Sequence, residues 1–148
     1  MSIKISRSDI AKLDKKIKKL KEFDKRKLSK ELGITALDIS LRAKKASRVG
    51  QDAGGTLRQS IRAEVKGKSV SVIAGAYYAP YVEFGTGSAV DLSDMLELGI
   101  PASYAEQFRG DGKKKVNLPA RPFFFSSARE GLKSLLMRLN TGISKSIQ

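Results

Sequence analysis

Apolar residues recur at helical spacing through the first third of the chain. Ile10, Leu13, Ile17 and Leu20 form one stripe, and lysines at 15, 16, 18, 19 and 21 surround it. Steps of three and four put such residues on one side of a helix, so the pattern predicts a basic amphipathic helix. Ser6 or Ser8 can cap it, since a serine hydroxyl accepts from the first free N–H groups. A second stripe runs Leu28, Leu32, Ala36, Ile39, Ala43, Ala46. The phase slips near Phe23, Asp24 and Lys25, which predicts two helices, about 8–22 and 25–48, or one bent helix. Gly33 offers a rival break, with Thr35 capping a new helix after it. The stripe passes through Gly33 in phase, which favours continuity.

The period then changes to two. Leu57, Ile61, Ala63 and Val65 hold odd positions, with Arg58, Ser60, Arg62 and Glu64 between them. This predicts a half-buried strand over 57–66, after the turn chemistry of Asp52, Ala53, Gly54 and Gly55. Gly67 stands first in a two-residue loop, where a type II′ hairpin turn needs a positive φ. Val70, Ser71, Val72, Ile73 and Ala74 return as a second strand over 69–76. Pairing 66 with 69 sets 65 against 70, 63 against 72 and 61 against 74, apolar on both sides each time. A slip of one residue destroys that match.

Residues 77–87 hold three of the four tyrosines and end in Gly85, Thr86, Gly87. An aromatic cluster of this kind needs something packed on it. It predicts a third strand near 80–85, entered through Pro80. Tyr81 and Glu83 alternate there with Val82 and Phe84, one pair inward and the other toward a neighbouring element or subunit. Residues 88–118 form a long loop excursion, with short helices over 94–98 (capped by Ser93) and within 101–108, and a lysine-rich loop at 109–115. The C-terminal helix, 121–141, takes Pro122 as its first residue and stops at residues 140–142. Phe124, Ala128, Leu132, Leu135 and Leu139 mark its inner face. The class is α+β: N-terminal helices and a C-terminal helix on a small antiparallel sheet, in one domain over 1–148.

Composition narrows the chemistry. The 148 residues contain no cysteine and no histidine, which removes thiolate chemistry, the commonest general base and the commonest transition-metal ligand. No run approaches a membrane span, and residues 1–4 lack the apolar core of a signal peptide. The expected setting is the cytoplasm or an assembly made there. No phosphate-binding glycine loop or metal-protease pattern occurs. Asp91, Asp94 and Glu97 are the closest carboxylates and read as a solvated face. We expect no catalytic residue, no cofactor, no metal and no small-molecule substrate. Glu83, set among aromatics, is costly to bury unpaired, so an arginine such as Arg121 or Arg62 is its expected partner.

The net charge of +14 is uneven, with 16 Lys/Arg against 6 Asp/Glu in residues 1–48. That asymmetry fits a polyanionic partner, and a basic nucleic-acid-binding protein is the alternative reading. The tyrosines and lysines lie in different thirds, however, and no RNA-binding signature of aromatics on a basic strand occurs. Salt-sensitive DNA affinity fits the sequence better than sequence-specific recognition.

Three landmarks occur in one order. They are Gly55-Thr56-Leu57-Arg58-Gln59-Ser60-Ile61, then Tyr78-Ala79-Pro80-Tyr81-Val82-Glu83-Phe84-Gly85-Thr86-Gly87, then Ala120-Arg121-Pro122-Phe123-Phe124. With them the chain, over about 25–140, resembles the tail-completion or head–tail joining proteins of long-tailed bacteriophages and prophages. One departure is the Asp52-Ala53-Gly54-Gly55-Thr56 run, where the family usually shows Asp-Thr-Gly. The resemblance implies a structural, non-enzymatic virion protein. It implies a ring, commonly a hexamer, that caps the head-proximal end of the tail, meets the tail tube protein and the connector, and lets genome DNA pass. Tyr81, Glu83, Phe84, Gly85, Thr86 and Arg121 are the expected subunit or partner interface. A lysine-lined channel would hold DNA too tightly, which places the basic helices outside it.

Overall fold

The computed structural model describes residues 7–22, 27–47, 55–67, 69–90, 101–110 and 117–147. In chain order these form α1 (Arg7–Glu22), α2 (Ser29–Ala46), α3 (Thr56–Ser60), β1 (Ile61–Lys66), β2 (Ser69–Ala74), α4 (Ala79–Phe84), a 3-10 turn (Gly87–Ala89), α5 (Ala102–Glu106) and α6 (Phe125–Ile147). The class is α+β, with helices around one antiparallel hairpin. The expected cap at Ser6, the phase slip at 23–25, the turn at 52–54, the helix over 94–98 and most of the 109–115 loop lie outside the described residues.

The hairpin takes the register that the alternation demands. Ile61 faces Ala74, Ala63 faces Val72, Val65 faces Val70 and Lys66 faces Ser69. Gly67 holds the required positive φ of 60°. The strands are shorter than expected. Residues 57–60 form a turn of helix, and β2 ends at Ala74. Leu57 and Ile61 are four apart, so they fit a helical turn feeding a strand as well as they fit a strand, and over so few residues the period does not choose. Gly55 opens α3 at φ 76°, and the Ser60 hydroxyl donates to the Leu57 carbonyl at 2.7 Å.

α2 runs unbroken through Gly33, and Ala36, Ile39 and Ala43 of the second stripe are buried. α2 lies antiparallel to α6. Arg138 donates to Glu31 at 2.6 Å and to Thr35 at 2.7 Å, while further along Ile39 sits on Gly131. A Cβ at residue 131 would overlap Ile39, so the glycine sets the close approach. α6 starts at Phe125, later than expected, leaving Pro122 in the segment before it. It also continues through the expected stop to Ile147. A glycine inside a helix costs only about 1 kcal/mol, and the Thr141 hydroxyl is absorbed by the Met137 carbonyl at 3.0 Å. Of the predicted inner face, Leu135 is buried but Leu132 is largely exposed.

The expected third strand is a helix, α4. Pro80 sits in its first turn, where the missing N–H would have had no helical partner. Its Val82 and Gly85 amides donate to the carbonyls of Tyr78 and Tyr81. A strand would send Glu83 and Phe84 to opposite faces. The helix buries both together. The main core joins Ala43 of α2, Leu57 of α3, Ile61 of β1, Ala79 of α4 and Phe123. α1 makes its main contact with α6, and its residues Ile10, Leu13 and Ile17 remain exposed.

Candidate functional site

The second and third landmarks close on each other, although about 40 residues separate them. Glu83 is 4% exposed. Its Oε2 accepts the Phe123 amide at 2.7 Å and the Phe124 amide at 2.9 Å, and its Oε1 accepts the Phe125 amide at 3.0 Å. Phe125 is the first residue of α6. The first N–H groups of a helix have no partner within it and carry its positive dipole end, so a carboxylate there meets both needs. The expected ion pair is therefore corrected. Arg62 bonds Glu64 at 2.8 Å instead, and Arg121 contributes its backbone amide to the Val82 carbonyl at 2.8 Å. Three oriented peptide dipoles can hold a buried acid without any arginine.

Gly85, Thr86 and Gly87 form the second half of the junction. Thr86 and Leu118 exchange hydrogen bonds, amide to carbonyl and amide to hydroxyl, each at 2.9 Å. Gly85 has φ 77° and ψ −171°, a conformation that only glycine adopts readily. A Cβ there would lie 2.6 Å from the Leu118 carbonyl oxygen. At Gly87 a Cβ would run into the Asn117 side chain, whose Oδ1 accepts the Ser88 amide. The chain thus leaves α4 and returns at 117–118 through the same gap.

Phe84 anchors the excursion. Its ring stacks on Phe108 at 5.5 Å and on Phe125 at 5.6 Å, and meets Tyr104 edge-on at 5.9 Å. Tyr81 meets Phe108 edge-on at 5.3 Å. So the described piece 101–110 packs onto α4 through α5 and Phe108, aromatic on aromatic.

All six expected interface residues fall in this one neighbourhood, but they divide. Glu83, Phe84 and Gly85 are buried, and Thr86 is half-buried. Only Tyr81, at 44%, and Arg121 are exposed. Those two border a cleft of 230 Å³ with Tyr78, Val82, Leu118 and Pro119. Tyr78, Val82 and Arg121 also line a larger cleft of 560 Å³. Sequence reasoning missed Tyr104, Phe108, Asn117 and Leu118. No local pattern marks them, because their partners lie far away in the chain. Among the described residues, every buried side-chain nitrogen and oxygen has a hydrogen-bond partner. The neighbourhood is therefore a satisfied scaffold with an outer face of Tyr81, Arg121 and Tyr77, the last 88% exposed.

No helix among the described residues is long and apolar enough to cross a membrane. No curated protein and no solved structure matches the chain. A family model whose description reads "Bacteriophage HK97-gp10, putative tail-component" matches residues 11–85, from α1 through the hairpin to the glycine that ends α4. That is just over half of the 148 residues, and the chain belongs to the HK97-gp10-like family of phage tail components.

Proposed function

We propose that this tail component is a tail-completion protein. Copies form a ring, six in number as the resemblance implies, at the head-proximal end of the tail. The ring closes the tail tube, docks it to the head's connector, and lets genome DNA through. The protein is assembled in the host cytoplasm and acts in the virion through surfaces alone, with no substrate and no cofactor.

The observation that carries this reading is the division within the junction. Two separate landmarks build one exposed face, Tyr81 with Arg121, over groups that are consumed in holding it. Glu83, a buried acid among the described residues, is engaged by three backbone amides, those of Phe123, Phe124 and Phe125 at the start of α6. Such a face suits contact with another protein. In this reading Tyr81 and Arg121 touch the neighbour, while Glu83, Phe84, Gly85 and Thr86 set their position.

A phage or prophage lacking this gene is expected to give DNA-filled heads and unattached tails by electron microscopy. Normal virions from the mutant would sink the proposal. The basic α1 keeps a nucleic-acid reading in view, and retardation of duplex DNA at two salt concentrations separates it. Phosphate contacts weaken steeply between about 50 and 200 mM salt, so binding that survives the higher salt would favour that second reading.

A further inference from the structure

The hairpin leaves a hydrogen-bonding edge open. The Gly75 amide donates to the Ser60 carbonyl at 3.1 Å, which fixes the phase of the ladder. Opposed residues in an antiparallel pair alternate between bonding each other and pointing away. With 60 and 75 bonded, the pairs 62/73, 64/71 and 66/69 turn inward in the observed register. Val70, Val72 and Ala74 of β2 then direct their amides and carbonyls outward. So do Ile61, Ala63 and Val65 on the far side of β1. Among the described residues no third strand pairs with either edge, and no backbone hydrogen bond from outside the hairpin reaches Val70, Val72 or Ala74. Peptide groups at the side of a sheet need partners, from water or from another strand.

β2 also lacks the devices that keep edges apart. Ser69–Ala74 contains no charge, no proline and no bulge. At the hairpin tip the inner face stays apolar, with Val65 66% exposed opposite a half-buried Val70. The charges on β1 neutralise one another locally, as Glu64 holds Arg62 at 2.8 Å and Lys66 at 3.5 Å.

We infer that the outer edge of β2 receives β1 of a second copy, tip half to tip half, so that the hairpins of successive copies join into one antiparallel sheet. The intrachain ladder shows that these two strand sequences fit side by side, with Val65 against Val70 and Ala63 against Val72. The contact repeats that match between chains. It is head-to-tail, so each copy offers one edge and receives on the other, and repetition can close a ring. Pairing β2 with β2 would be two-fold, would stop at two copies and would leave β1 open. The inference rests on the ring reading above and gives that ring its contact.

The chain has no cysteine, so introduced thiols report cleanly. A Val65→Cys protein and a Val70→Cys protein, carrying tags of different mass, are mixed, oxidised and resolved without reductant. Keeping the two thiols on separate chains excludes the intrachain bridge. A Met137→Cys protein, similarly exposed on α6, sets the background. The expected result is a mixed 65–70 disulfide, several-fold above either homodimer and above background. Homodimers of Val70→Cys in excess would mean two-fold β2 pairing and would overturn the inference, as would no product above background. Null-mutant microscopy tests the tail-completion role separately. Normal virions there would remove that role and leave the cross-link result standing.

Discussion

α1 and the α4–α6 junction both carry apolar side chains that the sequence marks for burial, and they meet opposite fates. At the junction every inward group is answered: Phe84 by three rings, Glu83 by three amides, Thr86 by Leu118. Along α1 the stripe is as regular as any in the chain, yet Ile10, Leu13 and Ile17 remain between 41% and 57% exposed. Periodicity tells which residues share a face. It does not tell whether the same chain covers that face. In a tail component, which works among other virion proteins, an uncovered stripe is surface available to a neighbour, whereas the junction holds the chain together.

That contrast breaks most visibly at Glu83. Replacing it by Ala orphans three amides, one buried and two part-buried, and the expected loss is about 4 kcal/mol of unfolding free energy in urea titration. Glu83→Gln keeps one acceptor oxygen and should lose roughly half as much. Gly85→Ala comes next, at about 2–3 kcal/mol, because its backbone is strained for any other residue and a Cβ would strike the Leu118 carbonyl. Changing Leu13 and Ile17 together to Ser should move stability by less than about 0.5 kcal/mol each. The same double change should reduce tail attachment in a complementation assay. A large stability loss there would mean that α1 is part of the core after all.

The smallest effect concerns Glu64 on the hairpin. The hydrogen bond from Arg62 is the main cause that holds its carboxyl below the usual range. A depressed folded value contributes stability that is present above the unfolded value, about 4.3, and is lost as pH falls through the lowered one. Glu64 is half-buried but its partners Arg62 and Lys66 are exposed to solvent, which screens the pair, so Glu64→Gln should only slightly flatten the acid limb of a stability–pH curve.

What the sequence revealed depended on whether the partner was local. The hairpin register was legible because alternation and a positive-φ glycine both act within a few residues. The core face of α2 was legible for the same reason, since Ala36, Ile39 and Ala43 repeat at helical steps. α4 was not. Tyr81, Val82 and Phe84 have the side chains of a strand, and only Pro80 hinted at a helix start. The deciding term is a hydrogen-bond set some 40 residues away, which buries Glu83 and Phe84 on one side together. The six expected site residues lie in one neighbourhood, but their division into two exposed residues and four covered or half-covered ones depends on that same distant contact. The end of α6 was misread because Asn140, Thr141 and Gly142 are weak breakers beside a long helix that is packed on α2.

Amide hydrogen exchange on the intact protein, read residue by residue, compares the two regions in one experiment. If Glu83 caps α6 inside the fold, the amides of Phe123, Phe124 and Phe125 exchange only when the core opens, while those of α1 exchange orders of magnitude faster through local opening. Amides at 123–125 that exchange as fast as those of α1 would contradict the account, because Glu83 would then not be holding them.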